Sequence, residues 1–531
     1  QKLGSPSLYE DLTAKRKPLI NFTVNEKAEY TGLSNFTLMY PCLTLAREVD
    51  PLIEGFGNST QKKTLHYSEV FSSIKEKIQN MLYPIIEKYN IQSGQKAVRT
   101  QTPVRWYWLS MVLLDQHFYH DYYLVWLDQD NNENNWRDMI TSRNQEEDDT
   151  AFSEHIDYLH EFFKNQNMFN DIGDPPEDLY DVLTEIAIGS PALIVLRSLM
   201  RQVDLKDPSI YINHLLSSSA FAAVHFRTLF NLPYAISVVQ KYSNKDYWRA
   251  VLEYCTRGNL QAVVDEYTHV LKESLGLIDS SPGEIFSSIT EELGIALSLR
   301  TVNLKFDHFE VNEDKIIEST SHTLRCRYAL NFGAAETDDG TRSRPDHVRK
   351  AFNSPFQPFI LATTSIGQEG LDFHHYCHNI YHWNLPTNPV DMEQREGRVH
   401  RYKGHAVRLN CVDEVPPSIL RESIENLQDP WKIIFSYCEK NRPDEVNDLV
   451  PYWININNGG HPKYRICRHI PTLPLSREVT QLRNLRRSLV AYRMVFGQPR
   501  QEDLIHYLQE RDSENKLDLE ELLKYRIDLS P

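Results

Sequence analysis

The sequence predicts an α/β fold with a largely parallel sheet, extended before and after by helical regions. Short apolar runs alternate with a capped helix between residues 359 and 412, an order typical of parallel strands joined by crossovers. Between residues 155 and 276 the apolar residues recur at helical spacing, and this spacing returns after residue 415. A chain of 531 residues is long enough for several domains and a substantial core.

Shifts in these patterns predict four domains. They are a mixed α/β accessory region (1–150), a helical domain (151–297), an α/β lobe (298–415) and a helical C-terminal module (416–531).

The α/β lobe is predicted from three apolar runs and one helix. The runs Phe359–Thr364, Asn379–Leu385 and Ala406–Val412 have the composition of buried strands. A helix is predicted over Pro389–Arg401, because Asn388 is a good N-cap and proline suits the first helical position.

The predicted helix carries a specific set of polar side chains. Arg398 and Arg401 are three residues apart and would project from nearly the same face, while Gly397 allows close approach of a ligand or backbone. Two guanidinium groups side by side suit a polyphosphate whose charge spreads during transfer. The alternative is an arginine-rich helix held only by ion pairs to its surroundings.

The sequence around these arginines resembles two helicase motifs. Gln394-x-x-Gly397-Arg398-x-x-Arg401 resembles motif VI of superfamily 2 helicases, and ATTSIGQEGLD, from Ala362 to Asp372, resembles motif V. Their spacing is most similar to that of Swi2/Snf2-type ATPases, in particular the bacterial RNA-polymerase-associated type. The sequence Tyr-Lys-Gly-His after Arg401 departs from that pattern, which has a shorter ending there.

The resemblance implies the second RecA-like lobe of a nucleic-acid-dependent ATPase. By it, Arg398 and Arg401 would lie at the γ-phosphate, with Arg401 as the arginine finger and Gln394 beside them. The residues implied at the nucleotide, and in its link to nucleic acid, are Gly367, Glu369, Gly370, Asp372 and Gly397. Those implied at the nucleic acid itself are Thr363, Thr364, Ser365 and His374.

The implied cofactors are ATP and Mg²⁺, with the Mg²⁺ ligands outside this chain. No GxxxxGK[ST] sequence occurs in the chain, so the phosphate-binding first lobe is expected to be absent, degenerate or on a separate or upstream polypeptide. The expected partners are that lobe and nucleic acid, with DNA favoured. The alternative function is a non-catalytic module that binds nucleic acid or protein through a degenerate RecA-like lobe.

The composition limits the partners and the cellular compartment expected for this protein. A formal net charge of −16 argues against a protein that coats nucleic acid with its whole surface, but it allows a local basic groove. The seven cysteines are scattered without a CxxC pair, which predicts a reduced, cytoplasmic protein. No apolar run reaches membrane-spanning length, so no membrane partner is expected.

Three further segments contain residues with candidate functional roles. The cluster His374, His375, Cys377, His378 and His382 predicts no metal site, because a strand would put too few ligands on each face. The sequence DEYTH at 265–269 superficially resembles a DEAH box, but it is predicted to lie on a helix with its acids facing solvent. A basic helix predicted over 476–495 has outward arginines that are either solvated or in contact with phosphates. They are Arg483, Arg486, Arg487 and Arg493.

Overall fold

The architecture was analysed in a computed structural model. It describes residues 18–24, 30–56, 66–88, 102–128, 146–165, 168–169, 174–203, 210–298, 302–312, 315–326, 345–362, 372–425, 428–443, 446–455, 462–471 and 477–494. The chain divides into two compact units. The first unit comprises residues 1–351, 355–357 and 416–433, and the second comprises 352–354, 358–415 and 434–531.

The part of the chain up to residue 352 is mainly helical. A 3₁₀ turn (Leu33–Asn35) precedes α1 (Phe36–Met39), α2 (Leu43–Glu48), α3 (Pro51–Phe56), α4 (Tyr67–Lys88), α5 (Thr102–Leu127), α6 (Glu146–Lys164), α7 (Leu179–Gly189), α8 (Pro191–Gln202), α9 (Ile212–Phe230), α10 (Pro233–Tyr242), α11 (Tyr247–Arg257), α12 (Leu260–Ser274), α13 (Pro282–Leu297) and α14 (Pro345–Phe352). The helical character predicted between residues 155 and 276 is therefore confirmed for the described residues of that range.

Helix α8 forms the centre of the first unit. Ser190 occupies its N-cap position and Pro191 its first turn, as predicted, and every residue of the helix is buried. It packs against α2, α9 and α12. A helix buried on all sides must hold its charged side chains by internal partners, because an isolated buried charge is costly.

Arg201 of α8 has such partners. Its guanidinium forms ion pairs with Asp50 and with Asp265 of α12, and all three side chains are buried. Asp265 also accepts a hydrogen bond from the Ser198 hydroxyl at 2.7 Å. The prediction that the acids of 265–269 face solvent was therefore wrong for Asp265. It has a structural role in the helical core, which agrees with rejecting the DEAH-box reading.

No single described helix is long and apolar enough to cross a membrane. The bent pair α7 and α8 passes the length and composition test together, with an angle of 48° between its helices.

Two antiparallel strand pairs lie in the first unit. The strands β1 (Thr23–Val24) and β2 (Tyr30–Thr31) form a two-residue pair. The strands β3 (Val302–Asn312) and β4 (Lys315–Cys326) form a long hairpin, with a register shift between His308 and Phe309. Strand structure thus begins close to residue 298, where the α/β lobe was expected to start. The four domain boundaries themselves remain predictions.

The remaining elements follow in chain order. They are β5 (Asn379–Tyr381), α15 (Pro389–Gly397), α16 (His405–Glu414), α17 (Pro417–Glu425), α18 (Pro430–Lys440), β6 (Cys467–His469) and α19 (Glu478–Met494). Strands β5 and β6 pair in parallel, with Ile380 opposite Arg468. Among the described residues this is the parallel pair, and a larger parallel sheet remains a prediction.

Two apolar clusters hold the second unit together. Phe352, Phe373 and Val399 form one, with Leu361 and Ile380 packed against it. Leu385, Met392 and Leu485 form the other, with Ile470 and Leu482 against it. Because Leu485 lies on α19 and Met392 on α15, the second cluster joins α19 to α15, the helix that carries Gln394 and ends beside Arg398.

The strand predictions for this unit were only partly right. The strand predicted over Asn379–Leu385 is present but ends at Tyr381. Phe359–Ala362 is not in a strand, and Phe359 and Ile360 are 73% and 84% exposed. The rest of that run, Thr363–Thr364, lies outside the described residues. Ala406–Val412 was predicted as a strand and is helical.

The error in 406–412 has a physical reason. Val407 and Cys411 are four residues apart and are both buried, which is helical spacing. The amide of Arg408 donates to the Gly404 carbonyl at 3.0 Å, so Gly404 begins the helix. An apolar run this short fits both the two-residue period of a strand and the 3.6-residue period of a helix.

Candidate functional site

Helix α15 begins as the sequence predicts. The Asn388 side chain accepts a hydrogen bond from the Val390 amide at 2.9 Å, Pro389 fills the first helical position, and Asp391 lies in the first turn. The regular helix ends at Gly397, four residues before the predicted end at Arg401. The amides of Val399 and His400 both donate to the Glu396 carbonyl at 3.0 Å, which tightens the last turn.

The early end of α15 changes how its arginines are held. Arg398 occupies the C-cap position and Arg401 lies in the following turn, which closes where the Gly404 amide donates to the Arg401 carbonyl at 3.0 Å. They are therefore presented by the end of a helix and the turn after it, instead of by one helical face. Gln394, one turn earlier, is exposed.

Arg401 is bonded to the end of the segment that resembles motif V. Its Nε donates to Asp372 Oδ1 at 3.0 Å, and the two side chains are 36% and 44% exposed. The next amide, that of Phe373, donates to the Arg398 carbonyl at 2.8 Å. Asn353 Nδ2 donates to the Asp372 carbonyl at 2.7 Å. Two segments that were predicted to act together are thus in direct contact.

Gly397 lies beside the Arg401 guanidinium. A Cβ atom at this position would be 3.7 Å from Arg401 Nη1, which is ordinary van der Waals contact. An alanine would therefore fit, while a longer side chain would compete with the guanidinium for the same space. The described neighbours therefore do not require glycine at residue 397, and the close approach of a ligand there remains a prediction.

All of the predicted nucleic-acid and nucleotide residues before Asp372 lie outside the described residues. These are Thr363, Thr364, Ser365, Gly367, Glu369 and Gly370.

His374 is described, and its environment keeps it neutral. Burial, with help from Arg408 and Arg401, lowers its pKa to about 4, although Asp372 acts in the opposite direction. Its Nδ1 is buried and has no hydrogen-bond partner among the described residues. A neutral imidazole contacts a ligand by hydrogen bonding or stacking, and it cannot neutralise a phosphate.

The neighbouring histidines pair with one another. His378 Nδ1 lies 3.0 Å from His405 Nδ1, so one ring donates and the other accepts. Burial lowers the pKa of both, and that of His405, which also faces Arg408, falls to about 3. Among the described residues no group of three or more His, Cys, Asp or Glu side chains is placed to hold a metal ion.

Glu396 organises a polar network that sequence reasoning missed. Arg468 of β6 donates to both carboxylate oxygens at 2.5 Å, and His382 Nε2 lies 3.1 Å from Oε1. Burial acts to raise the pKa of Glu396, but the hydrogen bonds from His382 and Arg468 hold it below its ordinary value. Nothing in the local sequence indicates this pair, because 72 residues separate its members.

Arg408 is a second residue whose role was missed. It is 1% exposed, donates to the carbonyls of Lys403 (2.8 Å) and His375, and lies over the Tyr376 ring at 5.1 Å. It thereby fixes the turn after Arg401 against the histidine segment. The assignment of 406–412 to a strand hid this contact.

A cavity of about 450 Å³ lies beside the turn that carries Arg401. Gly397, Arg401, His405, Trp453 and Tyr464 are among the residues that line it. The lining combines guanidinium, imidazole and carboxylate groups with a larger apolar surface, which is the usual composition of a ligand pocket.

Comparison with known proteins finds similarity to helicases in this part of the chain. Residues 311–403 match the family model of the helicase conserved C-terminal domain. Over 60 residues the chain is 35% identical to a Bacillus subtilis (strain 168) protein described as "Uncharacterized ATP-dependent helicase YqhH". Those residues make up 11% of this chain and 10% of that protein, so the chain spans about a tenth of the length of the curated relative it matches. No solved structure matches the chain.

The two matches support the prediction of a superfamily 2 helicase C-terminal lobe. A RecA-like fold is implied by the domain match. The matched segment ends at Lys403, so it includes the described residues Asp372, Gln394, Gly397, Arg398 and Arg401. It excludes Arg468 and α19, which complete the same unit.

Proposed function

We propose that the chain supplies the second RecA-like lobe of an ATP-dependent nucleic-acid helicase or translocase of superfamily 2, of the Swi2/Snf2-like type. The observation that carries the proposal is the contact between Arg401 and Asp372, at 3.0 Å. It joins the two segments that resemble motifs V and VI, one facing nucleic acid and one facing nucleotide in the proposed enzyme.

In the proposed mechanism Arg401 acts as the arginine finger. Its side chain is about one third exposed and its present partner is a half-exposed carboxylate, so it can exchange that partner for a phosphate at small cost. A planar guanidinium matches the oxygens of a transferring phosphoryl group and stabilises the charge that develops there. Arg398 at the helix end would contact the γ-phosphate, and exposed Gln394 would assist.

ATP with Mg²⁺ is the proposed substrate, and the bound metal would help to neutralise the charge of the phosphates. The partly exposed Arg401 guanidinium, beside Gly397 and Asp372, fits the phosphate end of such a ligand. No residue of this chain is proposed as a Mg²⁺ ligand. The phosphate loop and the metal ligands would come from a first lobe that carries a Walker A motif, on a separate or upstream polypeptide.

The proposed polymer partner is nucleic acid, with DNA favoured. The segment from Thr363 to Ser365 and the neutral His374 would contact it. Asp372 would couple nucleic-acid contact to Arg401. It lies in sequence between the segment 363–365 and Arg401, and its carboxylate is bonded to Arg401. We also propose a cytoplasmic location and no membrane partner.

A second candidate is a non-catalytic module. The absence of GxxxxGK[ST] from the 531 residues favours it for this chain alone. In that case the lobe would bind nucleic acid or protein without turnover. The intact pair Arg398 and Arg401 in the motif favours the enzyme, because a lobe without catalysis would need neither arginine.

The deciding experiment measures ATP hydrolysis by the purified chain, alone and with the Walker-A-bearing polypeptide encoded beside or upstream of it. Each sample is assayed with and without single- and double-stranded DNA. We expect negligible turnover by the chain alone and DNA-stimulated turnover by the pair. Absence of turnover by a pair that forms a stable complex would favour the non-catalytic module. Turnover by the chain alone would show that it holds a phosphate loop of another kind.

A further inference from the structure

Helix α19 lies outside the matched helicase segment, yet one of its faces is fixed to the arginine helix. Leu485 is 3% exposed and packs with Leu385 and Met392, and Leu482 adds to the same cluster. Gln481 Nε2 donates to the Leu385 carbonyl at 3.1 Å. This apolar and hydrogen-bonded contact holds α19 directly on α15, so the opposite face of α19 has a defined place on the unit.

That opposite face is basic. Arg483, Arg486 and Arg487 are exposed, and their spacing of three and four residues places them on one arc of the helix. Thr480 and Asn484 are exposed on the same side. Among the described residues neither Arg483 nor Arg486 forms an ion pair.

The arrangement differs from that of an ordinary solvated helix. Surface helices commonly place acids three or four residues from bases, which stabilises the helix by a few tenths of a kcal/mol per pair. The sequence of α19 holds one acid, Glu478, in its first turn, against four arginines. The chain as a whole carries a formal charge of −16, so this local excess of positive charge runs against the overall balance.

We propose that this outer face of α19, formed by Thr480, Arg483, Asn484, Arg486 and Arg487, binds the phosphate backbone of nucleic acid. Guanidinium groups bind phosphates through paired hydrogen bonds, and Thr and Asn side chains are frequent donors to phosphate oxygens. The face consists of polar and basic side chains, which fits backbone contact without base readout.

The position of α19 gives the proposed contact a role in the enzyme. The helix packs on Met392 of α15, the same helix that carries Gln394 and ends at Arg398. Nucleic acid bound at α19 would therefore contact a helix that packs directly on α15, and could change the position of α15 and its arginines. The inference extends the proposed function, but its test needs no ATP hydrolysis, so each can fail without the other.

The test is binding of fluorescein-labelled DNA of about 30 nucleotides, single- and double-stranded, to the full chain by fluorescence anisotropy over a range of salt concentrations. The variant is Arg483→Gln/Arg486→Gln. The matched control is Lys440→Gln/Lys463→Gln, which removes the same charge from exposed positions of the same unit. A third variant, Arg483→Lys/Arg486→Lys, keeps the charge.

We expect the glutamine variant to weaken binding about tenfold or more and to reduce the slope of log K against log salt by about two. The lysine variant should recover most of the affinity, and the control should stay within about twofold of the parent. Recovery by lysine would show that binding follows the positive charge at these two positions.

Three results would overturn the proposal. They are absence of DNA binding by the parent chain at low salt, equal weakening by the glutamine variant and the control, and competition by polyglutamate as effective as that by unlabelled DNA. The last result would assign the face to an acidic protein segment. DNA binding that depends on α19 in a chain whose two-lobe assembly hydrolyses no ATP would leave this inference standing while the proposed function fails.

Discussion

Arg401 Nε donates to Asp372 Oδ1 across 3.0 Å, and this bond joins the turn after the arginine helix to the segment that resembles motif V. Both side chains are more than one third exposed, so water competes with the pair and its contribution to stability is about 1 kcal/mol or less. Because the ion pair is weak, Arg401 can exchange Asp372 for another partner. Substitution of Arg401 and of Asp372 tests this.

Replacing Arg401 should impair turnover more than nucleotide binding. In the complete two-lobe enzyme we expect Arg401→Ala to lower kcat about a thousandfold, with KM for ATP changed much less, because the guanidinium acts on charge that develops in the transition state. Arg401→Lys should rescue poorly, since one ammonium cannot reproduce the planar fork. The measurement is steady-state ATPase with saturating DNA, together with nucleotide affinity.

Substitutions of Arg398 and Gln394 should have effects that can be compared with that of Arg401→Ala. Arg398→Ala should also lower kcat and should weaken ATP binding as well. Gln394→Ala should be milder, because a neutral amide contributes less than an ionised donor. If Arg401→Ala kept near-normal turnover, Arg401 would be a structural residue and the finger assignment would be withdrawn.

Replacing Asp372 should reduce the stimulation of ATP hydrolysis by DNA more than it reduces the stability of the fold. Asp372→Asn keeps the shape of the side chain and removes its charge, so Arg401 is held less firmly. We expect the ratio of DNA-stimulated to basal ATPase to fall several-fold, while the free energy of unfolding changes by about 1 kcal/mol or less. A variant with an unchanged stimulation ratio would show that Asp372 does not relate nucleic acid to Arg401.

The sequence was sufficient to predict α15 and its arginines because the determinants are local. Asn388, Pro389 and Asp391 are cap and first-turn residues, and the structure places all three as the sequence predicts. The end of the helix was predicted four residues too late, because the tight turn from Gly397 to Gly404 depends on contacts with Asp372 and Phe373 rather than on local preference.

The remaining features depend on pairings between distant residues. Glu396 meets Arg468 only when β6 pairs with β5, and Leu485 meets Met392 only when α19 packs on α15. For Ala406–Val412 the apolar run fitted both a strand and a helix, and the buried positions Val407 and Cys411 decide for the helix. Tertiary contact overrides local preference at each of these places.

Breaking the Glu396–Arg468 pair should destabilise the second unit. Glu396→Gln removes the charge that accepts two hydrogen bonds at 2.5 Å, and we expect a loss of about 1.5–3 kcal/mol in urea unfolding. Arg468→Lys keeps the charge but loses the fork, so its loss should be smaller. The control is Lys463→Gln, which breaks the exposed pair with Asp413 and should cost about 1 kcal/mol or less. Equal losses for Glu396→Gln and the control would contradict the assigned role.

The histidines beside the arginine turn should make the second unit sensitive to acid. Burial, together with Arg408 and Arg401, lowers the pKa of His374 to about 4, although Asp372 opposes this. The pKa of His405 falls to about 3 through burial, Arg408 and His378. In the unfolded chain both would have pKa values of about 6.5. Above pH 6.5 neither state binds the protons, so both histidines leave stability unchanged there.

As the pH falls below about 6.5, the unfolded chain takes up these protons and the folded chain does not, so stability falls by up to about 1.4 kcal/mol per pH unit for each histidine. The fall should continue to about pH 4 for His374 and to about pH 3 for His405, where the folded state also binds its proton. We expect His405→Gln to flatten the dependence of the urea midpoint on pH between 6.5 and 4, since glutamine does not titrate. His469→Gln is the control, because the imidazole of His469 stacks on exposed Tyr381 instead of lying in this buried group. If His405→Gln and the control gave the same pH profile as the parent chain, carboxylates elsewhere would account for the acid sensitivity.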